Sequence, residues 1–208
     1  MIQIRHKDTG DVLYEYDGDT LVGAKLVGLQ LSCADLSDQD LSGADLKSAN
    51  LKNADLSGSV LNRADLQSAV LDGATFAQSE MHEANLTDCF ARGARFMEAD
   101  LLRSNCRYAK FEDANFAGAR LMECDLSMAD MRGNFNEANL QQADLRGANL
   151  TGANLTGANL ALANLYDAQM SDAQLVRTVF NGAIGPHGKR IGVPKKNSPK
   201  KSWWRIWG

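Results

Sequence analysis

The chain has 208 residues, 44% of them hydrophobic and 23% charged, with 18 glycines and only 3 prolines. That balance belongs to a globular protein and excludes a disordered, collagen-like or disulfide-dense chain. No stretch approaches the ~20 consecutive apolar residues of a membrane-spanning helix. The net charge of −4 conceals a division: residues 1–185 carry all 26 acids and 15 of the 22 bases, for −11, and residues 186–208 carry +7.

Met1 to Lys7 contain no apolar run of the kind a secretory signal requires. The four cysteines, Cys33, Cys89, Cys106 and Cys124, have no C-x-x-C spacing. They point to reduced thiols in a cytoplasmic protein rather than to a disulfide framework or a zinc site. Residues 1–20 predict a β-hairpin: Ile2 and Ile4 alternate with Gln3 and Arg5, Val12, Tyr14 and Tyr16 form a second alternating run, and Lys7-Asp8-Thr9-Gly10 is a turn between them.

From Leu21 onward a large apolar residue recurs every five positions, through Leu26, Leu31, Leu36 and so on to Leu126 and Met131. Two steps are atypical, Ala91 and Cys106. A small residue stands two positions before many of these, as at Ala34, Ala44, Ala49 and Ala54, so the unit reads Ala-Asp/Asn-Leu-x-x. It is cleanest in Ala148-Asn149-Leu150-Thr151-Gly152 and Ala153-Asn154-Leu155-Thr156-Gly157. A period of five fits neither a helix at 3.6 nor a plain strand at 2. Small and large residues two apart point to the same side of a short extended segment, and the next two must turn the chain. Segment and corner, repeated, build a coil whose stacked turns bury one axial column, a β-solenoid.

This pattern resembles the pentapeptide-repeat family across residues 21–180. The resemblance implies an all-β fold, a right-handed quadrilateral β-helix with four pentapeptides per coil. About eight coils, ~40 Å tall, follow from ~4.8 Å per coil. The expected organisation is an N-terminal hairpin cap at 1–20, the β-helix at 21–185 and a basic tail at 186–208. The large residue and the small one before it then face inward, and Asp/Asn and the corner pair face water.

Two irregularities stand out. Ala91 shares a column with Leu71 and Phe111, and a lone Ala there leaves a void; a local shift that buries Phe90 is the expected compensation. Met131 to Phe135 is four residues instead of five, which predicts a tightened corner at Gly133 or a kink that shapes a partner-binding face. Cys89, Cys106 and Cys124 fall at inward positions and read as small buried hydrophobes.

Chemistry is sparse. A packed bore leaves no cleft, and His6, His82 and His187 are too dispersed for a metal cluster or a catalytic triad. Asn85-Leu86-Thr87 and its like are glycosylation-type triplets produced by the repeat itself. The expectation is a non-enzymatic protein without cofactor or metal, acting as a scaffold for a protein partner.

The surface is the remaining carrier of function. The outward position holds Asp early, at Asp35, Asp40, Asp45, Asp55 and Asp65, and mostly Asn late. Such carboxylates serve solubility, or they imitate a nucleic-acid backbone. The resemblance implies the second reading, because the family includes topoisomerase-protecting members that look like DNA to gyrase and dimerise through their C-terminal ends. Gyrase or topoisomerase IV and a homodimer through the C-terminal end are therefore further partner expectations. A mid-rod basic group, Arg92, Arg95, Arg103, Arg107 and Lys110, reads as solvated ion pairs or as a binding patch.

After Ile184-Gly185-Pro186 no amphipathic helix follows, so closure of that end must come from the tail, a partner chain, or both. The tail brings together Lys195, Lys196, Lys200, Lys201, Trp203, Trp204, Arg205 and Trp207. Clustered tryptophan with Lys/Arg suits three roles: resting on the last coil near Phe180, contacting a membrane surface or partner, or clamping nucleic acid.

Overall fold

A computed structural model describes residues 1–192. It is a right-handed quadrilateral β-helix whose base is closed by a hairpin. Each pentapeptide lays three residues on a flat face and turns at the next two. The corner is a β-turn closed by a bond from the N–H of the fourth residue to the carbonyl of the first, as in Ala24 to Leu21 at 3.0 Å and Ala44 to Leu41 at 2.9 Å. The third residue of the turn has positive φ, as a type II turn demands. Among the described residues, twenty-one non-glycine residues adopt it, from Asp38 at 54° to Leu162 at 62°.

Coils stack in parallel register twenty residues apart. One ladder runs Asp35–Asp55–Thr75–Arg95–Asn115–Asn134–Asn154–Gln174, eight rungs. Each face donates upward and downward; the Leu46 N–H, for example, bonds the Asp65 carbonyl at 2.7 Å, and the Asp65 N–H bonds the Ala44 carbonyl at 2.9 Å. The inward alternation fills the bore: Ala44, Leu46, Ala49, Leu51, Ala148 and Leu150 are fully buried.

At Arg132-Gly133 the coil advances nineteen residues, pairing Asn115 with Asn134, and then resumes twenty with Asn134 and Asn154. The missing residue is the second of the corner pair. Gly133 sits where other steps place their inward alanine, and its carbonyl accepts the Asn154 N–H at 3.0 Å. A Cβ there would lie 2.4 Å from the Ala114 carbonyl oxygen, so the shortened corner requires glycine for closeness.

The expected burial of Phe90 is corrected by the structure. Phe90 is 51% exposed, while Cys89 and Ala91 on either side are fully buried. Turning Phe90 inward would turn both neighbours outward and break its ladder bonds to Ala69 and Leu71. Compensation comes from the coil above. The Phe111 ring meets Phe96 edge-on at 5.7 Å and Phe116 at 5.0 Å. Phe76, Phe96, Phe116 and Phe135 stack on the adjoining column at 4.6–4.9 Å. Small Cys106 lies one step before Phe111, so the bulky ring has room within its own coil.

The hairpin pairs β1 (Ile2–His6) with β2 (Val12–Tyr16), and β1 also pairs antiparallel with β3 (Ala34–Asp35) on the first coil. Its apolar side (Ile2, Ile4, Leu13, Tyr14, Tyr16) lies against the base of the core. At the other end the ladder continues to Pro186, whose carbonyl accepts the Asp167 N–H at 3.0 Å. The chain then turns back so that Ile184 pairs antiparallel with Arg190. The basic residues 195–207 singled out in the tail lie outside the described residues.

Candidate interaction surface

The five early aspartates do not share a face. Asp35 and Asp55 occupy one ladder, Asp45 and Asp65 a second, and Asp40 a third. Each caps its own corner through Oδ1, which accepts the backbone N–H two residues on: Ser37 at 3.2 Å, Ser42 at 3.0 Å, Lys47 at 3.3 Å, Ser57 at 3.0 Å and Gln67 at 3.1 Å. The late asparagines make the same Asx turn, as Asn149 to Thr151 and Asn154 to Thr156, both at 3.1 Å. The outward residue therefore has a structural role invisible in a reading that treats it as surface charge alone. Its signal was the prevalence at that position of Asp and Asn, the side chains whose Oδ1 can accept from the backbone N–H two residues on.

Asp and Asn differ in what remains after the cap. Asn134 donates Nδ2 to Asn115 at 3.0 Å and accepts from Asn154 at 3.1 Å, a ladder linking three coils. Stacked aspartates have no such donor. Lys47 instead bridges Asp45 and Asp65, at 3.2 and 3.5 Å, and these carboxylates hold its ammonium above the usual lysine range. The Ser42 hydroxyl and N–H hold Asp40 below the usual carboxylate range.

The basic group is dispersed over three corners and two faces. Arg103 bonds Glu123 at 2.8 Å, directly above the pair Arg63–Glu83 at 2.9 Å, so one corner alternates in charge. Arg92 lies 3.7 Å from both Glu112 and Asp113. Arg107 is 3.8 Å from Asp125 and rests over the Tyr108 ring at 5.4 Å. Arg95 is exposed on the Asp35–Asp55 ladder. Four of these five positions, Lys110 included, stand on or beside coils bearing opposite charges, which fits solvated ion pairs better than a single cationic patch.

A surface feature absent from the sequence reading is apolar. Phe90, Tyr108, Met128 and Tyr166 are 41–53% exposed. Tyr108, Met128 and Tyr166 project from one corner, and Phe90 lies on the face that follows it, one coil lower. The signal was available: each is a large apolar residue at an outward or corner position of the repeat.

The interior offers little chemistry. Among the described residues no His, Cys, Asp or Glu group could hold a metal ion, and no helix is long and apolar enough to cross a membrane. The two best-formed hollows are open notches along corners. Burial pushes the Cys89 and Cys106 thiols up, and Cys124 to about 12, so they are protonated, unreactive core groups. Ser104 Oγ lies 3.3 Å from Cys124 Sγ and 3.5 Å from Cys106 Sγ.

Comparison with solved structures finds HetL, a pentapeptide repeat protein involved in heterocyst differentiation regulation in the cyanobacterium Nostoc, at 28% identity over 81% of this chain and 92% of that one, TM-score 0.35. A pentapeptide repeat protein of the Arabidopsis thaliana thylakoid lumen matches at 27% identity over 66% and 72%, TM-score 0.22. QnrB1, a plasmid-mediated fluoroquinolone resistance protein, matches at 17% over 77% and 89%, TM-score 0.42. No curated protein matches the chain. The pentapeptide repeats family matches in eight copies, over residues 21–58, 59–97, 99–133, 134–161 and 143–182. With the ladder register and the inward alternation described above, that coverage means that the chain belongs to the pentapeptide repeat family.

Proposed function

We propose that the protein is a rigid, non-enzymatic scaffold that presents side chains along a rod to a protein partner. The observation that carries this reading is the division of labour within each pentapeptide. The inward positions fill the bore completely, from Leu26 to Leu165. Where an outward residue caps a corner it needs only an Oδ1 acceptor, so the fold leaves its charge free to serve recognition. Binding would read as a steep dependence on outward residues whose replacement leaves the rod intact. The test is binding to an isolated partner by the wild-type chain and by a variant carrying Asp35→Asn, Asp45→Asn, Asp55→Asn and Asp65→Asn. The expected result is weaker binding with an unchanged far-UV spectrum; equal binding by both would remove the acidic coils from the interface.

DNA mimicry toward a type II topoisomerase is the second reading, favoured by one observation. The early coils keep carboxylates stacked one rung apart, at Asp35–Asp55 and Asp45–Asp65. Their spread over three faces resembles the wrapped charge of a duplex more than a flat acidic patch. Inhibition of gyrase supercoiling by the wild-type chain, lost in the same fourfold variant, is the expected result; no effect at micromolar protein would exclude this reading.

A further inference from the structure

The face ladder that climbs the rod from Asp35 does not begin at the first coil. Below it β3 pairs with β1 and β1 with β2, in the order β2-β1-β3. β2 is therefore the lowest strand of that sheet, and no described strand pairs with its other side. The direction of its backbone groups follows from β1. The His6 N–H donates to the Asp11 carbonyl at 2.8 Å and the His6 carbonyl accepts from Gly10 at 2.9 Å, whereas the Lys7 N–H turns the other way, to Cys33 at 2.9 Å. Alternation then makes Ile4–Tyr14 and Ile2–Tyr16 the hydrogen-bonded pairs. Glu15, between them, turns its N–H and carbonyl to the open edge. The extra residue of β2, Leu13, lies before this stretch and does not interrupt it. Natural edges are blunted by lysine or proline, and β2, Val-Leu-Tyr-Glu-Tyr, has neither. Its surroundings are acidic instead. Residues 8–24 contain five acids, Asp8, Asp11, Glu15, Asp17 and Asp19, and no lysine or arginine. All five are exposed, and among the described residues none is ion-paired with a lysine or arginine. The bases of β1 are engaged elsewhere: Arg5 bonds the Gly10 carbonyl at 2.7 Å, and Lys7 bonds the Asn53 carbonyl. The apolar side is incomplete as well, with Tyr14 and Tyr16 half-buried and Val12 42% exposed.

We propose that the free edge of β2 is a docking site for an extended, basic segment of a partner protein, added as the next strand of the sheet. The backbone of the incoming strand meets the Glu15 N–H and carbonyl. Its side chains alternate between the two faces of the sheet. Apolar ones continue the layer of Tyr14 and Tyr16, and Lys or Arg on the other face stand beside Glu15 and the neighbouring aspartates. The ligand class is thus a peptide that alternates apolar and basic residues. Charge complementarity selects it over a second copy of this chain, because β2 laid against β2 would bring two sets of acids together. The proposal shares with the scaffold reading only that the ligand is a protein. The fourfold aspartate variant leaves β2 unchanged, so the two experiments fail independently.

The probe is a fluorescein-labelled peptide of alternating lysine and valine, titrated with the intact chain and read by anisotropy. The expected result is saturable binding, weakened about tenfold or more by Glu15→Pro, which removes the edge N–H without removing a bond to β1. Glu15→Gln keeps that N–H and removes only the charge, so it should weaken binding less. The same peptide N-methylated at every amide should bind the wild-type chain about tenfold more weakly or worse, a comparison that depends on no variant folding. Saturating peptide should slow hydrogen exchange at the Glu15 amide by about tenfold or more. Equal binding of the methylated peptide, or unchanged exchange at Glu15, would reduce the contact to charge attraction and overturn the proposal. Absence of binding would overturn it too. So would a concentration-dependent dimer that is lost in Glu15→Pro, which places a second copy on the edge.

Discussion

The early coils and the late coils are the same machine with different outer atoms. Both bury Ala and Leu at 0–1% exposure through most of their length, and both cap corners with an outward Oδ1. In the early coils that oxygen belongs mainly to a carboxylate, and charges stack over charges. In the late coils it belongs mainly to a carboxamide, which at Asn134 and Asn154 adds a hydrogen bond to the coil below. The comparison separates what the corner cap uses, an Oδ1 acceptor on the outward residue, from what the fold leaves open, the charge that goes with it. It also shows that the acidic half keeps its charge against a small local disadvantage, since like charges directly opposite on neighbouring strands are unfavourable.

The comparison can be broken most severely from the inside. Leu51 and Leu150 occupy the same inward column, one in each half. Leu51→Asp and Leu150→Asp should both abolish soluble folding, because an unpaired buried carboxylate costs several kcal/mol. Far-UV circular dichroism and soluble yield check this. If either variant folds, the halves do not share one core.

The junction between the halves yields the next effect. Gly133→Ala places a Cβ 2.4 Å from the Ala114 carbonyl oxygen, whereas Gly152→Ala meets nothing within 4 Å but must keep a φ of +69°. The second change should cost about 1 kcal/mol, the usual penalty of a side chain in the left-handed region. The first should cost more, because backbone has to move. Urea denaturation of the two variants ranks them, and the reverse order would mean that the shortened corner tolerates widening.

Much of this was legible in the sequence because period five assigns every residue to the bore or the surface without reference to any neighbour. The four-residue step at Gly133 was equally plain. What escaped depended on contacts between coils. The cap made by Asp and Asn is a bond to a backbone amide, and composition registered it only as charge. Phe90 read as a residue that would move inward to fill a void, because the sequence could not show that Phe111, twenty residues beyond Ala91, leans edge-on against Phe96. The return of Ile191 onto Ala183 likewise depends on a turn at 185–188 that no repeat unit foreshadows. Of the candidate surface, the positions were legible and their grouping was not: charges adjacent in sequence stand on different faces, and the apolar strip joins residues from 90 to 166.

Exchanging the outer atoms between the halves sharpens the comparison at smaller scale. Asn134→Asp removes the Nδ2 bond to Asn115 and should destabilise by about 1 kcal/mol, the usual net worth of one hydrogen bond. Asp55→Asn does the opposite. It relieves the stacking on Asp35 and supplies a donor, so it should stabilise by a few tenths of a kcal/mol. Paired thermal melts at neutral pH test the signs. Destabilisation by both would mean that Asp55 is held by something other than its cap.

The smallest effect is a pH dependence where the halves meet. Asp130 accepts from Arg132 Nε at 2.8 Å and is paired with its guanidinium Nη2 at 2.6 Å, and Arg132 also reaches Glu112 at 3.3 Å. The Arg132 side-chain bond, against partial burial, holds the Asp130 carboxyl below the usual carboxylate range. A carboxyl whose folded value is depressed binds its proton more weakly in the folded state than in the unfolded one. Its contribution to stability is therefore fully present above the unfolded value of about 3.9, and it is lost as pH falls through the lower folded value. Asp130→Asn keeps the Oδ1 acceptor for the Arg132 N–H and removes the titration. The wild-type chain should thus lose more stability than this variant between pH 5 and the acid limit of folding, as read by urea midpoints at a series of pH values. Parallel curves for the two chains would show that Arg132 is held by Glu112 instead, and that the short corner at Gly133 is fastened to the coil below rather than to its own outward residue.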